Sequence, residues 1–385
     1  MIDAVLLALS ALSLFIWFHL TYFRGGFWKS DQRLSEVFEM DRWPAVVTVI
    51  PARNEAETIA ITVNSLLEQQ YKGQLHIIVV DDNSDDATAE AAGAHSNLKV
   101  IRGKPLQSGW TGKLWAVHQG LEEIANFAPK AEYVLLTDAD IAHHPQNLEL
   151  LVSKAVKSKR GLVSLMVALR CESFWERLLI PAFVYFFQKL YPFRLVNRPT
   201  HPMAAAAGGC MLVHLPTLRE VGGIEPIKDR LIDDCAMGAL IKSKSAIWLG
   251  VSTQTRSLRA YSSLSDIWQM VARTAFVQLN HSVLALLGTV MAMVVVYLVP
   301  PSLFVYGLWT SDPLLWVTAG GAYIIMAQLY APTLRLYKQP FLMAFSLPVA
   351  GFVYTLMTLS SALSHWRGRG GAWKGRSYAR SDHKE

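Results

Sequence analysis

The segment Tyr133-Val-Leu-Leu-Thr-Asp-Ala-Asp140 joins a short apolar run to two carboxylates that stand one residue apart. A run this short and rich in Val and Leu is typical of a buried strand in a parallel sheet. Because ligands of such sheets bind beyond the carboxyl ends of the strands, we expect Asp138 and Asp140 at a ligand site. Side chains at i and i+2 of an extended segment share a face, so both carboxylates can bind one Mg²⁺ or Mn²⁺ ion, which in turn can bind a diphosphate.

Two apolar runs upstream also end in polar residues. The run at 45–50 is followed by Pro51-Ala-Arg-Asn-Glu55, and the run at 75–80 is followed by Asp81-Asp-Asn-Ser-Asp-Asp86. A single acidic turn at a strand end is common, because Asp binds its own backbone there. Three such ends are better explained by one shared site, since parallel strands place their carboxyl ends at one edge of the sheet.

Strand-like and helix-like segments alternate along this part of the chain. The further predicted elements are strands at 98–101 and 162–169 and helices at 56–70, from Ala87 and at 114–127. The alternation predicts right-handed parallel crossovers, and therefore an α/β fold with an open, mostly parallel sheet and helices on both faces. A dehydrogenase is disfavoured, because Gly-x-Gly-x-x-Gly does not follow the first strand.

Apolar blocks flank the predicted sheet domain. Hydrophobic residues make up 52% of the chain and charged residues 17%, which is too apolar for an ordinary soluble protein. The block at 5–22 precedes Arg24 and Lys29, so the positive-inside rule places the following domain in the cytoplasm. Three later blocks, at 282–299, 314–331 and 341–363, approach the length of a bilayer crossing. The predicted division is an anchor at 1–23, a cytoplasmic domain at 24–280, membrane-embedded helices at 281–364 and a basic cytoplasmic tail at 365–385.

Two features of the apolar regions allow alternatives. Three crossings after a cytoplasmic domain would place the tail outside, whereas its basic residues favour the inside. Either one block is re-entrant or Pro300-Pro301 divide the first one into a hairpin. Residues 172–198 are apolar, contain Pro and are flanked by Arg and Lys, which fits an interfacial helix in the headgroup plane; a core helix is the alternative.

Charge and cysteine content limit the classes of binding partner and the redox compartment of the protein. The formal net charge is +6, and the basic excess near the apolar blocks fits anionic lipid headgroups better than nucleic acid. We therefore expect the protein to bind a lipid bilayer and no nucleic acid. The sequence leaves its oligomeric state unknown. The three cysteines, Cys171, Cys210 and Cys235, have no metal-ligand spacing and are read as small buried residues in a reducing compartment.

The ordered segments 51–55, 80–88 and 138–140 resemble the three nucleotide-sugar motifs of family-2 inverting glycosyltransferases. The resemblance implies a fold of the GT-A type, a nucleotide-sugar donor with a UDP-sugar as the expected form, and a divalent cation held with the diphosphate by Asp138 and Asp140. Asp81 or Asp82 would hydrogen-bond the uracil. The residues implied to flank the nucleoside are Pro51, Asn54 and Glu55. Lys113 matches a basic residue that faces the phosphates in membrane-bound members, with a solvated loop lysine as the alternative.

Two later segments complete the predicted site. The segment Leu231-Ile-Asp-Asp-Cys-Ala-Met-Gly238 is similar to the family's Glu-Asp pair at a helix start. This similarity nominates Asp234 as general base. It also adds Asp233, which stands in place of the usual Glu, to the donor-binding residues. A routine helix cap is the alternative. Gln269 and Arg273 resemble the Gln-x-x-Arg-Trp of processive synthases and ceramide glucosyltransferases, with one more residue between them and no Trp. One helical turn still brings both to one face, so we expect Arg273 to steady the leaving diphosphate.

Over most of its length the chain resembles the bacterial hopene-associated glycosyltransferases, in Pro-Ala-Arg-Asn-Glu, Gly-Trp-Thr-Gly-Lys, Asp-Asp-Cys-Ala-Met-Gly, Met-Val-Ala-Arg-Thr and the Trp-Lys-Gly-Arg tail. This implies sugar transfer to a hopanoid hydroxyl at the bacterial inner membrane; the residues themselves indicate only a lipid acceptor. The alternative acceptors are a ceramide, a carotenoid or a polyprenyl phosphate. A membrane scaffold or a transporter is the non-enzyme alternative, although the apolar blocks hold few of the ionisable residues that transport usually needs.

Overall fold

The computed structural model describes residues 2–368, 372–373 and 376–377, and the chain divides into two compact units. One unit, here the apolar unit, contains the chain up to Ser30, Cys171–Arg194 and the stretch from Tyr261 through the last long helix. The other, here the sheet unit, contains Asp31–Arg170 and Leu195–Ala260. This partition differs from the predicted boundaries at residues 24 and 280, because residues 172–194 and 261–280 group with the apolar helices.

Helices occur in both units. In chain order they are α1 (Ile2–Tyr22), α2 (Ile59–Leu67), α3 (Thr88–Ala91), α4 (Gly112–Phe127), α5 (Asn147–Lys157), α6 (Phe174–Leu190), α7 (Phe193–Val196), α8 (Leu215–Glu220), α9 (Asp233–Lys242), α10 (Leu264–Ala272), α11 (Val283–Met293), α12 (Val299–Trp309), α13 (Pro313–Leu336) and α14 (Leu347–Trp366). Short 3₁₀ turns cover Phe27–Lys29, Glu225–Ile227 and Phe341–Ser346, and a π-helical turn covers Val294–Leu298.

The strands of the sheet unit form one eight-stranded sheet in the order β3-β2-β1-β4-β7-β6-β8-β5. They are β1 (Ala45–Ala52), β2 (Leu75–Asp81), β3 (Leu98–Arg102), β4 (Ala131–Thr137), β5 (Ile141–Ala142), β6 (Leu162–Ala168), β7 (Cys210–His214) and β8 (Ile247–Ser257). Two further short strands, β9 (Ala372–Trp373) and β10 (Arg376–Ser377), pair with each other.

Most neighbouring strands run parallel. Strands β1 to β4 are parallel, β7 is antiparallel to both β4 and β6, and β8 is parallel to β6. Consequently β1, β2, β4 and β8 all end at the same edge of the sheet, which we call the carboxyl edge. The open, mostly parallel sheet predicted from the sequence is confirmed.

Helices cover both faces of this sheet. On one face α2 and α5 supply core residues such as Val63 and Leu151, which pack with Ile50 of β1. On the other face Gly120 of α4 lies against Val49 and Val80, whose side chains alternate with those of the first core. Strands buried on both faces read as continuous apolar runs, which is why their sequences lack a polar alternation.

Two predicted helices are shorter in the structure. The helix predicted at 56–70 spans Ile59–Leu67, because Asn54 adopts a left-handed φ of 52° and the chain turns before it enters the helix. The helix predicted from Ala87 is the single turn α3. Gly93 follows it with φ 78°, a conformation that glycine adopts without strain and that commonly ends a helix.

In the apolar unit, four helical segments are long and apolar enough to cross a membrane. They are Asp3–Tyr22, Val283–Trp309, Pro313–Leu336 and Phe341–Trp366. Pro300 and Pro301 do not divide the second of these into a hairpin. The helix continues through them, because they occupy the first turn of α12 after the π-helical turn, where a missing N–H is tolerated. Most of the predicted basic tail, 365–385, lies outside the described residues.

Helix α6 corresponds to the predicted interfacial segment at 172–198. Ser173 and Glu176 form a capping box at its start, and the helix continues through Pro181. Ile180 and Tyr185 are fully buried, whereas Phe174 at the start of the helix is 70% exposed. Part of α6 therefore packs inside the apolar unit, and its position at a bilayer surface stays a prediction.

Candidate active site

Three acidic strand ends lie side by side at the carboxyl edge. Strand β1 pairs with β2 so that Ala52 lies opposite Asp81, and it pairs with β4 so that Val49 lies opposite Leu136. Asp138 follows directly after the last residue of β4. The polar segments that follow the three strands are therefore neighbours, as their spacing in the sequence predicted.

Hydrogen bonds join the loop after β1 to the loop after β2. Arg53 donates to the carbonyl oxygens of Asp82 and Asn83 at 2.6 and 2.9 Å. The side-chain oxygen of Asn54 accepts from the N–H of Asp85 at 2.9 Å, and the N–H of Asn54 donates to the hydroxyl of Ser84 at 3.0 Å. The first two motifs therefore form one structural unit, and Asn54 acts in it by binding the second loop.

The two aspartates at the end of β2, Asp81 and Asp82, are shielded from water. Asp82 is fully buried and Asp81 is 8% exposed. One carboxylate oxygen of Asp81 accepts hydrogen bonds from the backbone N–H and the hydroxyl of Ser84. Ser84 thus fixes the orientation of the Asp81 carboxylate, and the uracil contact expected of Asp81 or Asp82 stays a prediction.

Lys113 bridges two motifs that are distant in the sequence. It lies in the first turn of α4, and its Nζ is 2.9 Å from Oδ1 of Asp138 and 3.1 Å from Oδ2 of Asp233. Burial alone would lower the pKa of Lys113, but the carboxylates of Asp138 and Asp233 raise it above the usual lysine value. Lys113 therefore stays charged, and the reading of it as a solvated loop lysine is wrong.

Asp140 is held by a different cation. Arg259 donates through Nε to Oδ2 of Asp140 at 2.8 Å and through a terminal nitrogen to Oε1 of Glu55 at 3.0 Å. Burial raises the pKa of Asp140 and the nearby Asp138 carboxylate adds to this, whereas Arg259 opposes both effects. Each carboxylate of the Asp-x-Asp segment thus has its own basic partner.

Asp234 is held by backbone N–H groups instead of by a basic side chain. It lies at the start of α9, and its two carboxylate oxygens accept from the N–H groups of Gly208 and Cys235, at 3.1 and 2.7 Å. Burial and the adjacent Asp233 raise its pKa to about 6, although Lys113 and the two N–H groups act in the opposite direction. A carboxyl with this pKa can exchange a proton near neutral pH, which a general base requires.

A buried histidine supports the turn that carries Asp138 and Asp140. Thr137 lies within hydrogen-bond distance of His143 at 3.0 Å and donates to the carbonyl oxygen of Gly209 at 2.7 Å. His143 also contacts the side chain of Asn147 at 3.1 Å. Burial lowers the pKa of His143 to about 3, so its ring is neutral and serves as a hydrogen-bonding support.

A small pocket opens at the carboxyl edge. Its charged lining residues are Lys113, Asp138 and Asp233, Pro51 and Gly208 also line it, and the rest of the lining is mostly apolar. Asp234 borders the same place, because its carboxylate contacts the Gly208 backbone. The structure thus brings together residues from four of the predicted motifs.

Comparison with known proteins agrees with this geometry. Residues 47–222 match the family model described as glycosyl transferase family 2. This segment is a family 2 glycosyltransferase domain. Over 134 residues the chain is 27% identical to 4,4'-diaponeurosporenoate glycosyltransferase of Staphylococcus aureus, covering 34% of either chain. Over 143 residues it is 29% identical to the "Probable glycosyltransferase YdaM" of Bacillus subtilis, covering 35% of this chain and 33% of that one. The matches thus span about a third of the length of these relatives.

A solved structure is similar over nearly the whole chain. Mannosyltransferase PcManGT from Pyrobaculum calidifontis, in complex with GDP-Man and Mn²⁺, has a TM-score of 0.53 and 18% identity, covering 93% of this chain and 99% of that chain. At this identity the likeness shows the fold alone. The sheet unit of our protein is accordingly of the GT-A type, as the resemblance implied.

The family 2 domain offers a partial set of cation ligands. Asp138 and Asp140 are hard oxygen donors, which Mg²⁺ and Mn²⁺ prefer. Among the described residues, no group of three or more His, Cys, Asp and Glu side chains is arranged to hold a metal ion. Two carboxylates fit a cation that completes its shell with waters and substrate phosphates, which is the usual arrangement for Mg²⁺.

Gln269 and Arg273 lie in the apolar unit, outside the family 2 domain. Gln269 is on α10 and donates to the hydroxyl of Ser265 at 3.2 Å, and Arg273 follows the last residue of that helix. Trp268 of the same helix donates to Ser360 of α14 at 3.0 Å. Their expected role at the leaving diphosphate stays a prediction.

Arg259 is the site residue that the sequence analysis missed. It lies two residues beyond the end of β8, just as Asp138 lies one residue beyond the end of β4. The signal was a basic residue after a strand-like run, Ile247-Trp-Leu-Gly-Val251, at the edge where the other motifs end. That signal is readable only once β8 is known to run parallel to β4.

Proposed function

We propose that the protein is an inverting glycosyltransferase that moves a sugar from a nucleotide-sugar to a hydroxyl of a membrane lipid. One observation carries the proposal: Lys113 bridges Asp138 and Asp233 within one pocket, with Asp234 at its border. Four motifs far apart in the sequence thereby surround a single space. A scaffold would not require partly buried carboxylates and a charged lysine to converge there, because taking charges out of water is costly even when they are paired.

The donor side of the site is formed by Asp138, Asp140 and Lys113. A divalent cation bound by Asp138 and Asp140 would supply Lewis acidity for the departing diphosphate. Lys113 adds a positive charge beside Asp138, where it can compensate phosphate oxygens as negative charge develops on the leaving group. Mg²⁺ and Mn²⁺ both suit these ligands.

The base side is formed by Asp234. Its carboxylate would take the proton from the acceptor hydroxyl while that oxygen attacks the anomeric carbon from the face opposite the diphosphate. The N–H groups of Gly208 and Cys235 hold the carboxylate in place. Attack on that face inverts the configuration at the anomeric carbon.

A membrane lipid is the acceptor that the chain's composition favours. Four apolar helices of membrane-spanning length lie in the described part of the chain, so we propose that the protein resides in the bacterial inner membrane with the sheet unit in the cytoplasm. Resemblance to the hopene-associated family favours a hopanoid and a UDP-sugar. The named activity of the S. aureus relative makes a carotenoid acid the second candidate acceptor.

The test uses full-length protein in lipid vesicles that contain a hopanoid, a carotenoid acid or neither. UDP-sugars and Mn²⁺ are added, and both released UDP and glycosylated lipid are measured by mass spectrometry. We expect the wild type to release UDP only when the hopanoid is present. Asp140→Ala should abolish this release, whereas the control variant Asp41→Ala, at an exposed aspartate before β1, should retain it. Transfer to the carotenoid acid alone would favour the second candidate. Absence of UDP release with every donor and lipid would contradict the proposal.

A further inference from the structure

The end of β8 fixes the position of Asp140 through backbone contacts. Strand β5 pairs with β8, with Ile141 opposite Ser257. The N–H of Leu258 then donates to the carbonyl oxygen of Asp140 at 2.7 Å. The next residue is Arg259. Strands β5 and β8 are therefore already aligned where the Arg259 side chain meets the Asp140 carboxylate.

Arg259 joins two acidic residues with separate arms of one planar group. Its Nε binds Oδ2 of Asp140, and a terminal nitrogen binds Oε1 of Glu55. The two carboxylate side chains are only 9% and 12% exposed, whereas Arg259 is 41% exposed. A rigid guanidinium that spans two acceptors fixes their relative position more precisely than a lysine does, because a lysine is a point charge on a flexible stem.

Glu55 is itself anchored to the loop after β1. Its second carboxylate oxygen accepts from the hydroxyl of Thr58 at 3.2 Å, and its N–H donates to the hydroxyl of Thr88 at 2.8 Å. Through Arg259, the position of Asp140 is therefore tied to the loop of the first motif. The arginine contacts Oδ2 of Asp140 and does not take the other oxygen, Oδ1.

We infer that Arg259 is a positioning residue for the cation site, which holds Asp140 against Glu55 and directs the remaining oxygen of Asp140 toward a bound cation. The inference rests on the proposed function, because it uses the same Asp-x-Asp cation site. Residues that hydrogen-bond a metal-binding carboxylate tune its affinity, and their loss typically weakens metal binding about 10- to 100-fold. Arg259 and Glu55 act here as one unit.

The test measures Mn²⁺ affinity directly, by electron paramagnetic resonance of free Mn²⁺ in titrations of the purified full-length protein. We expect Arg259→Gln to weaken Mn²⁺ binding about 10- to 100-fold and Arg259→Lys to restore part of the loss. Arg256→Gln, at an exposed arginine near the end of β8, should bind as the wild type does. Melting temperatures without Mn²⁺ identify any variant that is merely less stable.

A double-mutant cycle tests the coupling to Glu55. If Glu55 acts through Arg259, the variant with both Glu55→Gln and Arg259→Gln should bind Mn²⁺ about as weakly as Arg259→Gln alone. Fully additive losses would contradict that coupling. Unchanged or tighter Mn²⁺ binding in Arg259→Gln would overturn the positioning role, since the arginine would then be a bystander or a competitor of the cation.

Asp140→Asn separates this inference from the proposed function. If Asp140→Asn loses Mn²⁺ but Arg259→Gln does not, the cation site stands and only the role of Arg259 fails. If wild-type protein binds no Mn²⁺, or if Asp140→Asn binds it normally, the assignment of the Asp-x-Asp ligands fails and the inference fails with it.

Discussion

The two sides of the pocket hold their carboxylates in different ways. On the donor side, Asp138 and Asp140 each contact a basic side chain, Lys113 or Arg259. On the base side, Asp234 is held by two backbone N–H groups, and its pKa is raised to about 6. The difference matches two tasks: carboxylates held by basic side chains offer oxygen ligands to a cation, whereas a carboxyl that titrates near neutral pH suits proton transfer.

The largest effect should come from removing the base. Asp234→Asn keeps the shape but cannot take a proton, and its single carbonyl oxygen can accept from only one of the two N–H groups, those of Gly208 and Cys235. We expect kcat to fall about 100- to 10,000-fold. Steady-state assays of UDP release check this, with Asp229→Asn, at an exposed aspartate outside the motifs, as the control. Wild-type turnover in Asp234→Asn would remove it from the mechanism.

The second effect should fall on the donor side. Lys113→Gln removes a charged partner of the diphosphate, and hydrogen bonds to charged groups contribute about 1.5–3 kcal/mol, so donor affinity should drop about 10- to 100-fold. Titration calorimetry with UDP and Mn²⁺ measures the loss. Lys104→Gln, at an exposed lysine in the preceding loop, is the matched control. Equal UDP affinity in Lys113→Gln and wild type would show that the lysine serves only to hold Asp138 and Asp233.

A third change moves the helix of the base side and leaves the segment that carries Asp138 and Asp140 unaltered. A Cβ at Gly238 of α9 would lie 2.8 Å from the backbone carbon of Ala205, so Gly238→Ala must shift the helix that carries Asp234. We expect kcat to fall about tenfold or more, since small misplacements of a catalytic group are costly. Mn²⁺ affinity should be unchanged. Ala239→Ser, at the exposed neighbouring position, controls for the substitution, and equal kcat for both variants would contradict the expected shift.

The smallest effect concerns pH. Asp234 must be ionised to accept a proton, so kcat/KM should decline as the pH falls through about 6. Lys113 lowers the pKa of Asp234, and its removal should therefore move this acidic limb to higher pH. The pH profiles of wild type and Lys113→Gln measure the shift. A limb that moves to lower pH would mean that another group controls the decline.

The sequence predicted the parallel part of the sheet because its strands and helices are local patterns. The apolar runs before Asp81 and Asp138 mark strand ends without knowledge of the fold, and α4 is visible from its own periodicity. The antiparallel strand β7 is not among the strands predicted from the sequence. Its partners β4 and β6 are chosen by long-range pairing, which local sequence does not encode.

The same dependence on long-range strand pairing explains why the sequence does not identify Arg259. Its contact with Asp140 spans 119 residues and depends on the register between β5 and β8, so the residue carries no local motif. Lys113 and Asp234, in contrast, stand in short segments with recognisable composition. The residues that the sequence identified are those at strand and helix ends, and the one it missed is joined to the site by tertiary structure alone.

The most direct test of the account measures Mn²⁺-dependent UDP binding and sugar transfer in the same membrane preparations of Asp140→Asn and Asp234→Asn. If the two sides have separate tasks, Asp140→Asn loses both binding and transfer, whereas Asp234→Asn binds UDP as the wild type does and transfers almost no sugar. Equal loss of UDP binding in both variants, or normal transfer by Asp234→Asn, would contradict it.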